Sequence, residues 1–99
     1  MITSIRSLVV QPGKTFEYMS VAKELAGIVK HASGHEPVVA MSFGGDPLAF
    51  AYISTYASVA ELEEAREKLM ADTAYRTAIT KTDHLVVPGS FHDQIWRHI

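Results

Sequence analysis

The middle of the chain constrains its fold more than any other stretch. Two apolar runs, residues 36–43 (Glu-Pro-Val-Val-Ala-Met-Ser-Phe) and 48–56 (Leu-Ala-Phe-Ala-Tyr-Ile-Ser-Thr-Tyr), are separated only by Gly44-Gly45-Asp46-Pro47. Glycine permits positive φ and Asp hydrogen-bonds its own backbone, so this tetrapeptide predicts a tight reversal joining two antiparallel strands. Helical patterns flank the hairpin. Upstream, residues 2–11 alternate β-branched and apolar types until Pro12-Gly13 stops them, which predicts a first strand. Thr15 then caps a helix with apolar residues at Phe16, Met19, Ala22, Leu25, Ala26, Ile28, Val29 and Ala32, and Gly34 ends it. Downstream, Ser58-Val59-Ala60-Glu61 is a capping box, followed at helical spacing by Leu62, Ala65, Leu69 and Met70. Asp72 caps a further short helix carrying Tyr75, Ala78 and Ile79 to about Thr82. Leu85-Val86-Val87 is strand-like and stopped by Pro88-Gly89. Residues 91–98 read as a strand, with Phe91, Asp93, Ile95 and Arg97 on one side and His92, Gln94, Trp96 and His98 on the other. A short helix capped by Ser90 is the alternative there.

The order βαββαβ with a central hairpin is the ferredoxin-like α+β arrangement, a four-stranded antiparallel sheet with its helices on one face, in a single domain over 1–99. Leu48, Phe50, Tyr52, Ser54 and Tyr56 lie on one side of their strand, and the smaller Ala49, Ala51, Ile53 and Thr55 on the other. Small residues suit close helix packing, which predicts that the aromatic side, extended by Val39, Met41 and Phe43, faces away from the helices. Such a surface exceeds what a soluble monomer leaves uncovered, so a second copy is expected to cover it. The absence of cysteine points the same way: it removes disulfides, thiolate metal sites and thiol nucleophiles, and leaves oligomerisation to offset small size. Hydrophobic residues at 47% and charged residues at 20% suit a packed core, and a formal net charge of −2 offers no footprint for nucleic acid. No stretch has the pattern of a signal peptide or membrane span, so the expected compartment is the cytoplasm.

At this level the chain resembles the dimeric α+β-barrel superfamily, in which two ferredoxin-like sheets pack face to face. The stretch from Ala51 to Ala78 is most similar to the NIPSNAP-type small proteins: a strand ending Tyr52-Ile53-Ser54-Thr55-Tyr56, the Ser-capped acidic helix start Ser58 to Arg66, then Leu69-Met70-Ala71-Asp72-Thr73-Ala74-Tyr75. Thr73 stands where such proteins tend to have Pro, and Tyr75 where they tend to have Trp. The resemblance implies a homodimer with a pocket in each subunit. The superfamily hosts antibiotic-biosynthesis-type cofactor-free monooxygenases, haem-degrading enzymes, isomerases, cyclases and members without known activity. The haem-degrading pocket combines Asn, Trp and His, and this chain has no Asn. The cofactor-free oxygenases place Trp, Tyr, Asn and Arg around a phenolic substrate, and the nearest types here are Tyr52, Tyr56, Trp96 and Arg6.

The remaining chemistry rests on the histidines. His31 and His35 have a metal-ligand spacing that Gly34 interrupts, and His92 and His98 are about 20 Å apart within one strand, too far to share an ion. His84 and His92 are the candidate general bases, since imidazole titrates near neutrality. Arg6 would stabilise a phenolate or enolate, and Tyr52, Tyr56 and Trp96 would stack the substrate. The simpler alternative makes both tyrosines dimer-core aromatics and pairs Arg6 with a carboxylate. No phosphate loop, nucleophile elbow or zinc-protease motif is present. Two readings stand: a small enzyme using no organic cofactor or metal that acts on an aromatic or polyketide-like molecule, and a non-catalytic dimeric binding or regulatory protein holding a hydrophobic ligand.

Overall fold

The computed structural model describes all of residues Met1–Ile99. The element order is β1 (Ile2–Val9), α1 (Thr15–Ser33), β2 (Val38–Met41), β3 (Ala49–Tyr56), α2 (Val59–Ala71), α3 (Thr73–Thr82) and β4 (His92–Arg97), with a 3₁₀ turn at Asp83–Leu85. The sheet is antiparallel in the order β2-β3-β1-β4, the ferredoxin-like topology. No helix is long and apolar enough to cross a membrane.

Local chemistry sets the boundaries. The β2–β3 turn closes where Asp46 Oδ1 accepts from Leu48 N at 2.9 Å and Gly45 takes φ +92°. Ser58 Oγ accepts from Glu61 N at 3.2 Å while Glu61 Oε2 accepts from Ala57 N at 2.7 Å, the reciprocal arrangement of a capping box. Asp72 Oδ1 accepts from Tyr75 N at 2.8 Å and so starts α3. Gly34 ends α1 in the left-handed region at φ +81°. The start of α1 differs from expectation: its N-cap is Lys14, without a side-chain cap, and Thr15 is already helical.

The β1–β3 register pairs Ile2 with Tyr56, Arg6 with Tyr52 and Leu8 with Phe50, so these residues share one face. That face carries the helices. Phe50, 2% exposed, meets the Tyr18 ring edge-on at 5.0 Å and packs with Leu8, Val10, Ala22, Leu85 and Val86. Ile2, Tyr56, Leu62 and Ala65 form a second core cluster. The expected orientation of the sheet is therefore reversed: the aromatic side of β3 is the covered one. The physical reason is complementary volume, because the small residues sit on the helices, at Ala22 and Ala26 of α1 and Ala65 of α2, and leave room for rings from the sheet. Val39 joins this core, whereas Met41 and Phe43 are exposed near the hairpin. Phe16, expected on the apolar face of α1, is exposed as well, and Tyr18, which that pattern left out, is buried in its stead.

The open face consists of Thr3, Ile5, Ser7 and Val9, Val38 and Ala40, Ala49, Ala51, Ile53 and Thr55, with His92, Gln94 and Trp96. It contains no Asp, Glu, Lys or Arg. Residues 85–87 do not form a strand. Leu85 ends the 3₁₀ turn, Val86 makes an isolated bridge to Val10, and Val87 N donates to Val9 O at 2.8 Å.

Candidate functional site

Along the helix-covered face, β1 reads Ile2, Ser4, Arg6, Leu8, and β3 reads Tyr56, Ser54, Tyr52, Phe50 from the same end. The apolar residues at either end belong to the two core clusters. Between them polar side chains interrupt the packing, and a cavity of about 230 Å³ opens between sheet and helices. Ser4, Arg6, Tyr52, Ser54 and Tyr56 line it from the sheet, Tyr18, Leu25 and Val29 from α1, Leu62, Arg66, Leu69 and Met70 from α2, and Tyr75 and Ile79 from α3. It exceeds the ~150 Å³ cavity that accepts benzene. It is smaller than the ~300–1,000 Å³ pockets of drug-sized ligands, which fits a guest of one or two rings.

Two polar constructions define its chemistry. Tyr18 and Tyr52 share a hydroxyl–hydroxyl bond of 2.7 Å. One oxygen donates to the other, so the acceptor's own proton is available to a guest. Burial raises the Tyr18 hydroxyl, and burial together with the bond to Tyr18 raises that of Tyr52 well beyond the usual phenol range. Both therefore remain neutral O–H groups in ordinary buffers. The second construction is the ion pair of Arg6 with Asp93 on β4, with Nε donating at 2.7 Å and Nη2 at 2.9 Å. The bond to Asp93 raises the Arg6 guanidinium against opposing desolvation, and Tyr75 adds to the effect. The same bond lowers the Asp93 carboxyl, opposed by desolvation and reinforced more weakly by the charges of Arg6 and Arg66. Both partners are close to half-exposed, so the pair adds little stability. It does fix the guanidinium, through Nε and Nη2, at the cavity wall.

Of the residues singled out from sequence, Arg6, Tyr52 and Tyr56 line this cavity. Trp96, His84 and His92 do not. Trp96 pairs with Thr3, and His92 with Ser7, on the open face, where Trp96 is 57% exposed and its Nε1 donates to Gln94 Oε1 at 3.4 Å. His84 is exposed in the 3₁₀ turn. His35 lies 3.2 Å from Glu61 and tilts against the Tyr56 ring at 4.8 Å, so it works as a packing residue behind the cavity wall. Sequence reasoning missed Tyr18, Arg66 and the part played by Asp93. Tyr18 is four, seven and eight residues before Ala22, Leu25 and Ala26, a legible signal. Asp93 stood on the same strand side as Ile95, but nothing local named Arg6 as its partner.

No protein-family model matches the chain, and no curated protein does. Solved structures match it throughout. A NIPSNAP domain protein from Burkholderia xenovorans superposes with a TM-score of 0.86 at 14% identity, covering 100% of this chain and 95% of its own. A NIPSNAP family protein of unknown function from Agrobacterium tumefaciens gives 0.83 at 23% identity, covering 97% and 86%. A Nitrosomonas europaea protein provisionally assigned as an antibiotic biosynthesis monooxygenase gives 0.75 at 15% identity, covering 100% and 99%. The chain thus has the ferredoxin-like α+β fold shared by NIPSNAP domains and antibiotic-biosynthesis-monooxygenase-like proteins.

Proposed function

We propose that the cavity takes up a small aromatic or polyketide-like molecule and that the chain acts on it as a cofactor-independent monooxygenase- or cyclase-like enzyme, through its phenolate or enolate anion. The observation that carries this reading is the convergence of Arg6 and the Tyr18–Tyr52 hydroxyl pair on an otherwise apolar cavity. Leu62, Leu69 and Tyr56 offer walls for a ring, while a fixed guanidinium and neutral O–H donors stabilise an oxyanion without reorganising. An oxyanion makes the adjacent carbon electron-rich, ready for dioxygen in an oxygenation or for an internal carbonyl in a cyclisation. With His84 and His92 away from the cavity, proton loss relies on the substrate's own acidity, which Arg6 increases. The fold likeness to a protein provisionally assigned as an antibiotic biosynthesis monooxygenase supports the same reading.

One observation favours the second reading, a non-catalytic dimeric small-ligand-binding or regulatory protein. No histidine lines the cavity, Asp93 is held ionised by Arg6, and the carboxylate in the lining, Asp83, is exposed, so no imidazole is placed to take a substrate proton near neutrality. In both readings the partner of the open sheet face is a second copy of the chain. A four-stranded surface with no fixed charge, in a protein one-fifth charged, is suited to burial against its own likeness.

The test uses para-nitrophenol, whose phenolate is coloured. Bound to the wild-type protein it should ionise at lower pH than in buffer, and Tyr52→Phe and Arg6→Gln should return its ionisation toward the free value. Bound nitrophenol with unchanged ionisation, or no binding, would refute the reading. Oxygen uptake or product formation with β-tetralone, an enolisable bicyclic ketone, would then separate enzyme from binding protein.

A further inference from the structure

Arg66 is a cation in the cavity wall without a partner. Elsewhere on α2, Glu64 pairs with Lys68 at 3.1 Å and Glu61 lies 3.2 Å from His35, while Glu63 and Glu67 are exposed on the side away from the cavity lining. Arg66 lies one turn beyond Leu62 and one turn before Leu69 and Met70, on the side that lines the cavity, and is half-buried. It takes part in none of the protein's ion pairs. Its field reaches Asp93, whose carboxylate is already claimed by two N–H groups of Arg6. Arg6, Asp93 and Arg66 thus form one cluster with a single surplus positive charge. Asp83 is the carboxylate that lines the cavity; it also borders an indentation formed with Val86, Val87, Pro88 and Phe91, and it makes no ion pair with Arg66.

We propose that Arg66 anchors a carboxylate of the ligand, so that the cavity takes a small aromatic carboxylic acid; this rests on the reading that the cavity binds an aromatic oxyanion. The guanidinium fork matches a planar carboxylate with two parallel hydrogen bonds, and in a half-buried site such charge-assisted bonds are strong. One negative charge completes the cluster, whereas a phosphate dianion would overfill it. With its carboxylate on Arg66, the ligand lays its ring along Leu62 and Leu69 and turns its second acidic oxygen toward Arg6 and the tyrosine pair.

Calorimetric titration of the full-length protein compares β-naphthol, a hydroxynaphthoic acid bearing a carboxyl group on the ring remote from the hydroxyl, and naphthyl phosphate. The wild-type protein should bind the acid about tenfold tighter than β-naphthol, as one charge-assisted contact predicts. Arg66→Gln should bring the two affinities within about twofold of each other, and Arg66→Lys should restore part of the difference. Equal wild-type affinities for acid and naphthol, an acid preference that survives in Arg66→Gln, or a preference for the phosphate would overturn the carboxylate assignment and leave the cavity reading standing. If no compound binds, both fall together.

Discussion

Removing both hydroxyls of the Tyr18–Tyr52 pair should cost less than the two single removals added together, because each single change strands the hydroxyl that remains. The bond is 2.7 Å long and joins a ring that is 2% exposed to one that is partly buried. Tyr18→Phe keeps the edge-on packing against Phe50 and deletes only an oxygen, so any loss is that of the hydrogen bond. It strips the Tyr52 hydroxyl of its one protein partner. A buried hydroxyl without a partner costs about 1–3 kcal/mol, and because Tyr52 faces a cavity that admits water, the low end, about 1 kcal/mol, applies. Tyr52→Phe strands the more enclosed Tyr18 hydroxyl, for which about 2 kcal/mol is the better figure. The double substitution leaves no hydroxyl to desolvate and should cost no more than about 2 kcal/mol, less than the sum of the single changes by about 1 kcal/mol or more. Urea unfolding of the four proteins measures this coupling, provided the slope of the transition stays constant. A double variant whose loss equals the sum of the singles within about 0.4 kcal/mol would show that the two hydroxyls do not depend on each other, and the account of a preformed donor pair would fail.

Phe50→Ala empties the centre of the larger core cluster and should cost about 3–5 kcal/mol in denaturant unfolding, a large share of what a small domain has; a loss below 1 kcal/mol, on the order of an exposed substitution, would return the ring to the open face. Asp93 is held below its ordinary value of 3.8 by Arg6, so its contribution is complete above that value and is lost as pH falls through the lowered folded-state value. The stability difference between wild type and Asp93→Asn should accordingly shrink on acidification, and a difference flat from about pH 5 to pH 2 would contradict the pair. Trp96→Glu places a charge on the uncharged sheet face without touching the core, so sedimentation velocity should show a wild-type dimer and a variant monomer of unchanged secondary structure. A wild-type protein that stays monomeric at high concentration would remove the second copy from the account.

Elements whose determinants are local were legible in the sequence. Asp46, Ser58, Asp72 and Gly34 each act within four residues of themselves, and each performs the turn or cap its type and position imply. The alternation of β4 was legible for the same reason, since a strand's period of two needs no partner to define it. Which side of a strand is covered is not local. The rule that small residues mark the helix-packed face assumes that the helices supply the bulk; here α1 and α2 bring Ala22, Ala26 and Ala65, and the sheet supplies Phe50 and Tyr56. The volume between the layers is fixed, but its division between them can go either way, and only the two surfaces considered together decide it.

The cavity follows from the same competition. A strand face that ran Ile-Leu-Leu-Leu would pack shut against alanine-bearing helices. β1 instead places Ser4 and Arg6 between Ile2 and Leu8, and β3 places Ser54 and Tyr52 between Tyr56 and Phe50, in register with them. Neither polar pair is conspicuous in its own strand, where serine and arginine read as solvent-facing. Once the register sets them side by side beneath the helices, their polar groups need partners, and Tyr18 from α1 and Asp93 from β4 supply them. The arginine on α2 has no such partner, and that is the difference between a polar interruption the protein completes for itself and one that is left for a ligand.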